Sequence, residues 1–465
     1  MRGPDVPGCC ALVAAALCWL GVPSPAVAED HGAKQFLHDL VSGAAYSLES
    51  YATYFPQVYP SSPARAVDDK QGIVWAKGTV KSQAGIGEAT TFKLAMSVAG
   101  SNESNDFRGA FMSPDSEKPY ARHLDVKECS LRYDRKRFAM IAGKAPLPVG
   151  LSTIYSPADR YQIVSAANPI RSESLGAWQV ALDLFFGDNT LKMAALPIET
   201  RSPVAHGRSR WLGESGEDLI QPAAVPLGGG GLVAGSSGLT TSSGETARSV
   251  FRNRPGLLVK WSGVVPGIDY FAAAHYGPSL FPVLQNLTGR ELIAEAPMAT
   301  TFSGGASSTV EAWEFHGEGV YQRARHDQDQ DFLRYVVGTT YRETRFAEKI
   351  GFDEISPTVE YAGELVLDEQ DAPGFLSNSA GARPNRNAVL LKVDVMPSDK
   401  LTWTVAGAKN LTTEDSVRAL VVEYRPNDHL TLKASLVEFD GNNALSPFGR
   451  WDRNDYVEVG VIRRF

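Results

Sequence analysis

Apolar and polar residues alternate in many segments of the chain from Gly43 onward, and Gly, Pro, Asn and Asp separate these segments. Because successive side chains of a strand point to opposite faces, this period predicts strands with one apolar face. The clearest apolar sets are Val389, Leu391, Val393 and Val395; Leu430, Leu432, Ala434 and Leu436; and Trp178, Val180, Leu182, Leu184 and Phe186. No comparably long helical period occurs in the sequence, although a short helix is predicted at Ala33–Leu40. The chain is therefore predicted to be all-β.

The connections between the predicted strands alternate between short and long. Short ones lie at 134–136, 187–189, 265–267, 397–399 and 425–428, and long ones at about 100–121, 147–174, 198–252, 278–290, 368–385 and 438–453. A soluble sandwich gives no reason for this sorting, whereas bacterial outer-membrane barrels have short periplasmic turns and longer external loops. A sheet in lipid must also close on itself, because unpaired backbone groups in hydrocarbon cost several kcal/mol. The pattern predicts a single transmembrane antiparallel barrel over residues 42–465.

The number of strands follows from the same alternation. When strands are assigned backward from the last one, Asn454–Phe465, the run 278–307 fits only if Glu291–Phe302 is also a strand. This assignment gives about eighteen strands, and bacterial single-chain barrels have even numbers of strands. We therefore expect eighteen strands, with sixteen as the alternative.

Two of the long loops have distinctive sequences. Four prolines lie in or beside Leu147–Ser174, namely Pro146, Pro148, Pro157 and Pro169. Because proline removes a donor from a strand ladder, this loop is predicted to lie outside the membrane or to fold back into the mouth, where it would narrow a pore. Leu227–Thr246 is of low complexity and is predicted to be an external loop.

The first 28 residues have the organisation of a signal peptide. Arg2 supplies a positive charge, Cys9–Val22 is an uncharged apolar run, and Ala26-Val27-Ala28 provides small residues for cleavage after Ala28. The apolar run is shorter than the about 20 residues that a spanning helix needs. The mature chain would then begin with a short periplasmic segment, 29–41. It would keep Cys129 alone, which is predicted to be a buried apolar residue.

Composition and charge limit the function further. Hydrophobic residues make up 43% of the 465 residues, which excludes disorder, and the net charge of −8 argues against nucleic-acid binding. The catalytic patterns H-E-x-x-H and G-x-S-x-G are absent from the sequence. We therefore expect neither an enzyme nor a bound cofactor.

The chain ends in Phe465, with Val457, Val459 and Val461 at alternate positions before it. This ending resembles the C-terminal signal recognised by the barrel assembly machinery, with Arg463 in place of the usual apolar or aromatic residue. An arginine at the interface can extend its charged end to water. The resemblance implies the outer membrane of a Gram-negative bacterium, with its lipid, its lipopolysaccharide and the assembly machinery as partners. The sequence leaves open whether the barrel also binds a partner protein in the periplasm.

A second resemblance covers most of the mature chain. The matching segments are Cys129–Gly150, Ser156-Pro157-Ala158-Asp159, Asn168-Pro169, Gly176-Ala177-Trp178, Leu191–Pro197, and Phe448-Gly449-Arg450 before Asn454-Asp455. Their order resembles the porin-like outer-membrane proteins of proteobacteria that are related to the alginate exporter. The resemblance implies an eighteen-stranded barrel that acts as a passive conduit for polar solutes or a polymer, and it implies no catalytic residues.

Charged residues are predicted to face the lumen, because a Lys or Arg facing lipid costs about 2–4 kcal/mol at the midplane. The predicted pore-lining residues of four consecutive strands are Glu314, His316 and Glu318; Arg334 and Arg342; Glu360 and Glu364; and Lys392 and Asp394. Opposite charges facing each other across the sheet contribute about 0.2–1 kcal/mol per pair. These rows would hold the wall together or bind solute. The first row also has metal-binding residue types, although a plain polar row is favoured.

The leading functional hypothesis is an outer-membrane channel for polar solutes or a polymer. Two alternatives stay open: a structural barrel that surrounds a partner, such as a periplasmic or multihaem electron-transfer protein, and a surface receptor or adhesin. The mixed charges predicted for the lumen differ from the strongly basic lumen expected for a polyuronate exporter, so alginate is not expected as the substrate. The mixed lumen predicts weak ion selectivity, and the net charge of −8 predicts a mild preference for cations.

Overall fold

The computed structural model describes most of the chain from residue 30 to residue 465. The described residues are 30–59, 70–103, 123–161, 163–165, 173–198, 209–212, 248–249, 254–279, 283–286, 292–370, 375–376, 385–443 and 446–465. The predicted signal peptide, 1–28, and the predicted loop Leu227–Thr246 lie outside these residues, so both stay predictions.

Eighteen strands form one closed antiparallel barrel, which confirms the predicted fold and strand number. In chain order they are β1 (Ala45–Tyr54), β2 (Gly72–Ile86), β3 (Thr90–Ser101), β4 (Leu124–Arg135), β5 (Phe138–Ala145), β6 (Ala177–Phe186), β7 (Asn189–Leu196), β8 (Gly256–Val265), β9 (Ile268–Pro278), β10 (Met298–Val310), β11 (Trp313–Ala324), β12 (Asp331–Tyr341), β13 (Glu354–Asp368), β14 (Asn387–Ser398), β15 (Leu401–Asn410), β16 (Ser416–Asn427), β17 (Leu430–Asp440) and β18 (Tyr456–Arg464). The barrel closes because Tyr51 of β1 lies opposite both Trp75 of β2 and Gly460 of β18. Every barrel strand therefore has two neighbours, and the sheet has no open edge.

One strand prediction is wrong in its bounds. The strand expected at Glu291–Phe302 is found at Met298–Val310, and Leu292–Glu295 pairs with Val283–Asn286 in a separate small sheet. The Gly- and Ser-rich run after residue 302 has the composition of a turn, which explains the error. In the barrel this run forms part of β10, where the wall is tightly packed. A Cβ on Gly305 would lie 2.7 Å from both Phe271 and Glu318.

Short connections join consecutive strands at one end of the barrel, the turn end. The strand ends that the predicted long loops connect lie at the other end, the loop end. The turns between β6 and β7 and between β8 and β9 place Gly187 and Gly267 at φ values of 62° and 80°. Glycine adopts this conformation without steric cost. The connection 342–353 at the turn end is longer than a tight turn and contains the short helix α2 (Arg345–Lys349).

Alternate residues of the strands form an exposed apolar outer face. On β18, Val457, Val459 and Val461 are 45–58% exposed. Aromatic side chains gather on this face at the turn end, where the rings of Trp313 and Tyr341 have centroids 4.5 Å apart. An apolar band flanked by aromatic residues is typical of barrels embedded in a bilayer.

A helix, α1 (Asp30–Ser42), precedes β1 and includes the short helix predicted at Ala33–Leu40. It packs on the outer face of the barrel beside β2 and β3. Within the described residues, the helices are too short and too polar to cross a membrane. Cys129 lies in β4 and is buried, as predicted.

Candidate functional site: a loop folded into the barrel

The chain that follows β5 folds into the barrel. Residues 146–161, here called the folded-in loop, place Leu147, Val149 and Ala158 against inward-facing side chains of the wall. The buried wall residues in this cluster are small or apolar, namely Ala181, Ala194, Leu258, Phe271, Ala273 and Val320. The sequence predicts that Leu147–Ser174 lies outside the membrane or folds back into the mouth. The described residues of this loop before 162 fold inward.

The backbone of the folded-in loop is held by carboxylates. Seven consecutive amides, from Val149 to Tyr155, donate hydrogen bonds to three carboxylate side chains. Asp159 belongs to the loop itself, and its Oδ1 accepts from the amides of Val149 and Gly150 at 2.6 and 2.8 Å. The other two carboxylates belong to the barrel wall. Because each of these amides has an acceptor on a side chain that is itself held in place, the arrangement fixes the backbone of the loop.

Glu318 of β11 is the first wall carboxylate, and its side chain is buried. Its Oε2 accepts from the amides of Leu151 and Ser152 at 2.8 and 3.3 Å, and its Oε1 from the amide of Ala158 at 3.2 Å. From β8, the Lys260 Nζ donates to the carbonyl of Val149 at 2.9 Å. The side chain of Glu318 therefore binds two separate parts of the loop, residues 151–152 and Ala158.

Glu360 of β13 is the second wall carboxylate and is fully buried, at 0% exposure. Its Oε1 accepts from the amides of Thr153 and Ile154 at 3.0 and 2.7 Å, and its Oε2 from Tyr155 at 2.8 Å. The same Oε1 lies 2.9 Å from the Nε2 of His316 on β11. This carboxylate therefore joins two strands of the wall to the tip of the loop.

The contact between His316 and Glu360 passes over Gly338 of β12. The register of the sheet aligns these three residues on adjacent strands. A Cβ on Gly338 would lie 2.5 Å from His316 Nε2 and 2.6 Å from Glu360 Cγ. The absence of a side chain on this glycine therefore permits the contact between the two outer residues.

The other six of the nine residues predicted to line the pore form pairs within the sheet. These pairs are Arg334 with Glu364, Lys392 with Asp394 (Nζ–Oδ2 2.7 Å), and Arg342 with Glu314 (4.0 Å). Eight of the nine residues lie on the face of the sheet opposite to the exposed apolar side chains. Arg342 lies just after β12, in the connection 342–353, and its side chain is 66% exposed. The structure does not bring the nine residues into one cluster. Glu318 and Glu360 bind the folded-in loop, His316 contacts Glu360, and the other six pair with one another. Their role in lining a pore stays a prediction.

The returning part of the same loop is attached by an ion pair to the other side of the barrel. Glu173 begins the short strand Glu173–Leu175, and its carboxylate contacts the ammonium groups of Lys127 on β4 and Lys77 on β2, the latter at 2.9 Å. Burial raises the pKa of Glu173, but Lys127 and Lys77 lower it more, so its pKa lies below the ordinary value of 4.5. The carboxylate is therefore charged at neutral pH.

Aromatic side chains fill a different part of the interior, at the loop end. Trp211 is buried among four rings whose centroids lie 6.1–6.4 Å from its own, which belong to Phe55, Phe439, Trp451 and Tyr456. These five side chains are here called the mouth cluster. The indole Nε1 of Trp451 donates to the carbonyl of Trp211 at 2.8 Å. The cluster seats residues 209–212, which belong to the long connection between β7 and β8.

Arg210 holds the same segment through its guanidinium group, which lies 3.5 Å from the ring centroid of Phe55. Its Nε donates to Asn454 Oδ1 at 2.9 Å, and Asn454 Nδ2 donates back to the carbonyl of Arg210 at 3.2 Å. Further bonds run to the carbonyls of Gln57 and Arg453 at 3.1 and 3.2 Å. These bonds satisfy a buried charge with neutral acceptors.

Sequence reasoning missed several of these anchors. Asp159 follows a Ser-Pro-Ala sequence typical of a turn, which is the one local signal for a carboxylate that binds nearby amides. Lys260 and Trp211 have no local signal, because their partners are more than a hundred residues away in the sequence. In the described part of the chain, no three His, Cys, Asp or Glu side chains are arranged to hold a metal ion.

Comparisons with known proteins find similarity in fold alone. No family model and no curated protein sequence matches. Among solved structures, OccD3 (OpdP) of Pseudomonas aeruginosa is 9% identical with a TM-score of 0.47, covering 92% of this chain and 91% of that one. OccAB3 of Acinetobacter baumannii is 9% identical with a TM-score of 0.45, covering 91% and 99%. A loop-deletion mutant of OmpT, an outer membrane protein of Vibrio cholerae, is 9% identical with a TM-score of 0.40, covering 91% and 98%.

The structure defines a class of fold, a closed antiparallel β-barrel of eighteen strands with a loop folded into it. At identities of 9% and TM-scores below 0.5, the solved structures carry no argument about function. The function is therefore argued from the residues of this chain.

Proposed function

We propose that this chain is an outer-membrane channel for small polar solutes, and that the folded-in loop narrows its lumen. The location is supported by the apolar outer face and by the aromatic residues at the turn end. It is also supported by the predicted signal peptide and by the predicted assembly signal at Val457, Val459, Val461 and Phe465. These features give the barrel a lipid-facing surface and a route of assembly.

The observation that carries the proposal is the attachment of the seven loop amides to Asp159, Glu318 and Glu360. A loop that enters a lumen must satisfy its backbone polar groups, and water satisfies those of a mobile loop. Here fixed carboxylates replace water on one side of the loop. Glu318 and Glu360 lie near the middle of their strands, so the narrowing is in the central part of the barrel.

The charges of the interior favour a weakly selective channel. Basic and acidic side chains are paired along the inner face, as in Arg334 with Glu364 and Lys392 with Asp394. Paired rows leave no large electrostatic field of one sign, so we propose weak ion selectivity. The net charge of −8 favours a mild preference for cations. This distribution, together with the narrowed lumen, favours small solutes over a polymer and argues against alginate.

The alternative of a barrel that surrounds a protein partner is less well supported. The folded-in loop and the mouth cluster occupy interior space that an inserted partner would need. We therefore favour the channel and propose no catalytic role for it. Single-channel recording separates the two, because a refolded barrel that stays closed to ions under all voltages would contradict the channel.

The decisive variant is the double substitution Glu318→Gln with Glu360→Gln. In each side chain, one of the two oxygens that accept from the six loop amides becomes an NH2 group, which donates and cannot accept. Each buried loop amide that loses its acceptor in this way costs about 1–3 kcal/mol. We expect the loop to leave the wall, so that single-channel conductance changes and fluctuates more than in the wild type.

The matched control is Glu314→Gln. Glu314 lies on the same strand as Glu318 and the same face, but its ion-pair partner is Arg342 at 4.0 Å, away from the loop. We expect this variant to conduct like the wild type. Equal conductance in the double variant and the control, with both barrels folded, would contradict a narrowing role for the loop.

A further inference from the structure

The helix α1 lies on the outer face of the barrel at the turn end. The ring of Phe36 is 5.9 Å from that of Phe92 on β3, and the hydroxyl of Ser82 on β2 donates to the carbonyl of Leu40. Phe92 and Ser82 are on the same face of the sheet as Val80, which is exposed. The helix therefore covers a surface that elsewhere carries the lipid-facing side chains.

The barrel covers one half of the apolar side of α1. Because residues of a helix follow one another at about 100°, Phe36, Leu37, Leu40 and Val41 form one continuous apolar stripe. Phe36 and Leu40 are half-buried against the barrel, whereas Leu37 and Val41 are 58% and 67% exposed. His38 lies on the opposite, polar side of the helix. An apolar stripe wider than its contact with the protein requires a second apolar neighbour.

The position of α1 along the barrel indicates what this neighbour is. Tyr46, an exposed outward-facing residue of β1, pairs with Val80, and Ser82 is the next residue of β2 on that face toward the turn. The carbonyl of Tyr46 accepts from the amide of Phe465, whose ring is also exposed. Outward aromatic residues mark the boundary between hydrocarbon and headgroups. The exposed half of the stripe is therefore continuous with the lipid-facing band at that boundary.

We propose that α1 binds the periplasmic leaflet of the outer membrane as an interfacial helix, with Leu37 and Val41 inserted among the lipid headgroups. Its amphipathic stripe and its depth are those of helices that lie in the plane of a membrane surface. The occupant is phospholipid, because the stripe continues the lipid-facing surface of β2 and β3. The proposal rests on the membrane location in the proposed function and is independent of the channel activity.

Spin labelling tests the proposal directly. All four cysteines of the chain are replaced by alanine, and a nitroxide is attached at Leu37→Cys, Val41→Cys or His38→Cys. The barrel is refolded in vesicles of phosphatidylethanolamine and phosphatidylglycerol. We expect the accessibility to oxygen, relative to a water-soluble nickel chelate, to be several-fold higher at positions 37 and 41 than at position 38. Equal ratios at the three positions would overturn the proposal.

A label at Val459→Cys, on the lipid-facing side of β18, separates the two levels of inference. A lipid-like ratio there together with water-like ratios on α1 overturns the helix proposal alone. A water-like ratio at Val459 in a folded barrel overturns the membrane location as well.

A second variant adds charge to the stripe. Leu37→Glu with Val41→Glu is expected to release α1, so that trypsin cleaves after Lys34 several-fold faster in vesicles than in the matched control His38→Glu. The folding of each barrel is verified by its heat-dependent mobility in gels. Equal cleavage rates in folded barrels would overturn the proposal.

Discussion

The folded-in loop and the mouth cluster both occupy the interior of the barrel, but different interactions hold them there. The folded-in loop is attached by carboxylate side chains, of which Glu318 and Glu360 accept hydrogen bonds from its backbone amides. The mouth cluster is attached by buried rings around Trp211 and by Arg210, whose described acceptors are neutral. The two regions meet at Ile154 and Tyr155, which belong to the same apolar core as Trp211.

This difference has consequences for the behaviour of each region. Hydrogen bonds to carboxylates depend on ionisation and geometry, so the loop should respond to the removal of single charges. Burial of aromatic rings depends on area and packing, so the mouth should respond to the loss of volume. The loop is thus suited to a fixed position inside the barrel, and the mouth cluster to holding residues 209–212 of the long connection between β7 and β8.

The largest effect is expected from Trp211→Ala, because truncation of a buried aromatic residue costs about 3–5 kcal/mol. Segment 209–212 should then leave its site and expose Arg210. At about 1.4 kcal/mol per factor of ten, cleavage by trypsin after Arg210 should rise by about a hundredfold or more. Mass spectrometry of the fragments measures this rate.

The control for this change is Trp403→Ala, which removes an outward-facing indole at the turn end. It should leave Arg210 protected, as should the double variant of Glu318 and Glu360. Rapid cleavage after Arg210 in that double variant would show that one mechanism holds both regions and would break the comparison.

A smaller effect is expected from Gly338→Ala. The added methyl group would separate His316 from Glu360, and overpacking of this kind costs about 1–3 kcal/mol. Conductance noise should increase, but less than in the double variant, because the loop amides keep their carboxylates. Gly319→Ala is the matched control, since its Cβ would meet its nearest neighbour at an ordinary 3.5 Å. If the conductance noise of Gly338→Ala equals that of the wild type, the contact between His316 and Glu360 does not help to hold the loop.

The outer face of this barrel could be predicted from the sequence because one rule, an apolar side chain at alternate positions, holds along its strands. The set from Trp178 to Phe186 occurs in β6 as predicted, at alternate positions of one strand. The Gly- and Ser-rich part of β10 is the exception, since close packing against Phe271 selects small residues there. Tertiary packing thus overrides a local turn signal.

The contacts inside the barrel could be predicted from the sequence to a much smaller extent. The charged residues of β11 to β14 alternate with apolar ones, so their face could be predicted, but their partners could not. Glu318 and Glu360 bind backbone amides 167 and 206 residues away, and any residue type except proline can donate such a bond. Trp211 is one aromatic residue in a long connection without periodicity, and its neighbour Trp451 is 240 residues away.

The smallest effect concerns the returning part of the loop, where Glu173 contacts Lys77 and Lys127. Its pKa is below 4.5, so the contribution of this ion pair to stability is complete above pH 4.5 and is lost as the pH falls through the lowered value. Glu173→Gln leaves two ammonium groups without this counter-charge, so the reversal potential in a salt gradient should shift slightly toward anions at pH 7. The difference between wild type and variant should persist at pH 5 and shrink well below pH 4.5, where the wild-type carboxyl takes up its proton.

Trp211→Ala should show no such pH dependence, because an indole has no group that titrates in this range and its loss acts through volume. A shift of equal size at all pH values would show that Glu173 does not act on ions through its charge.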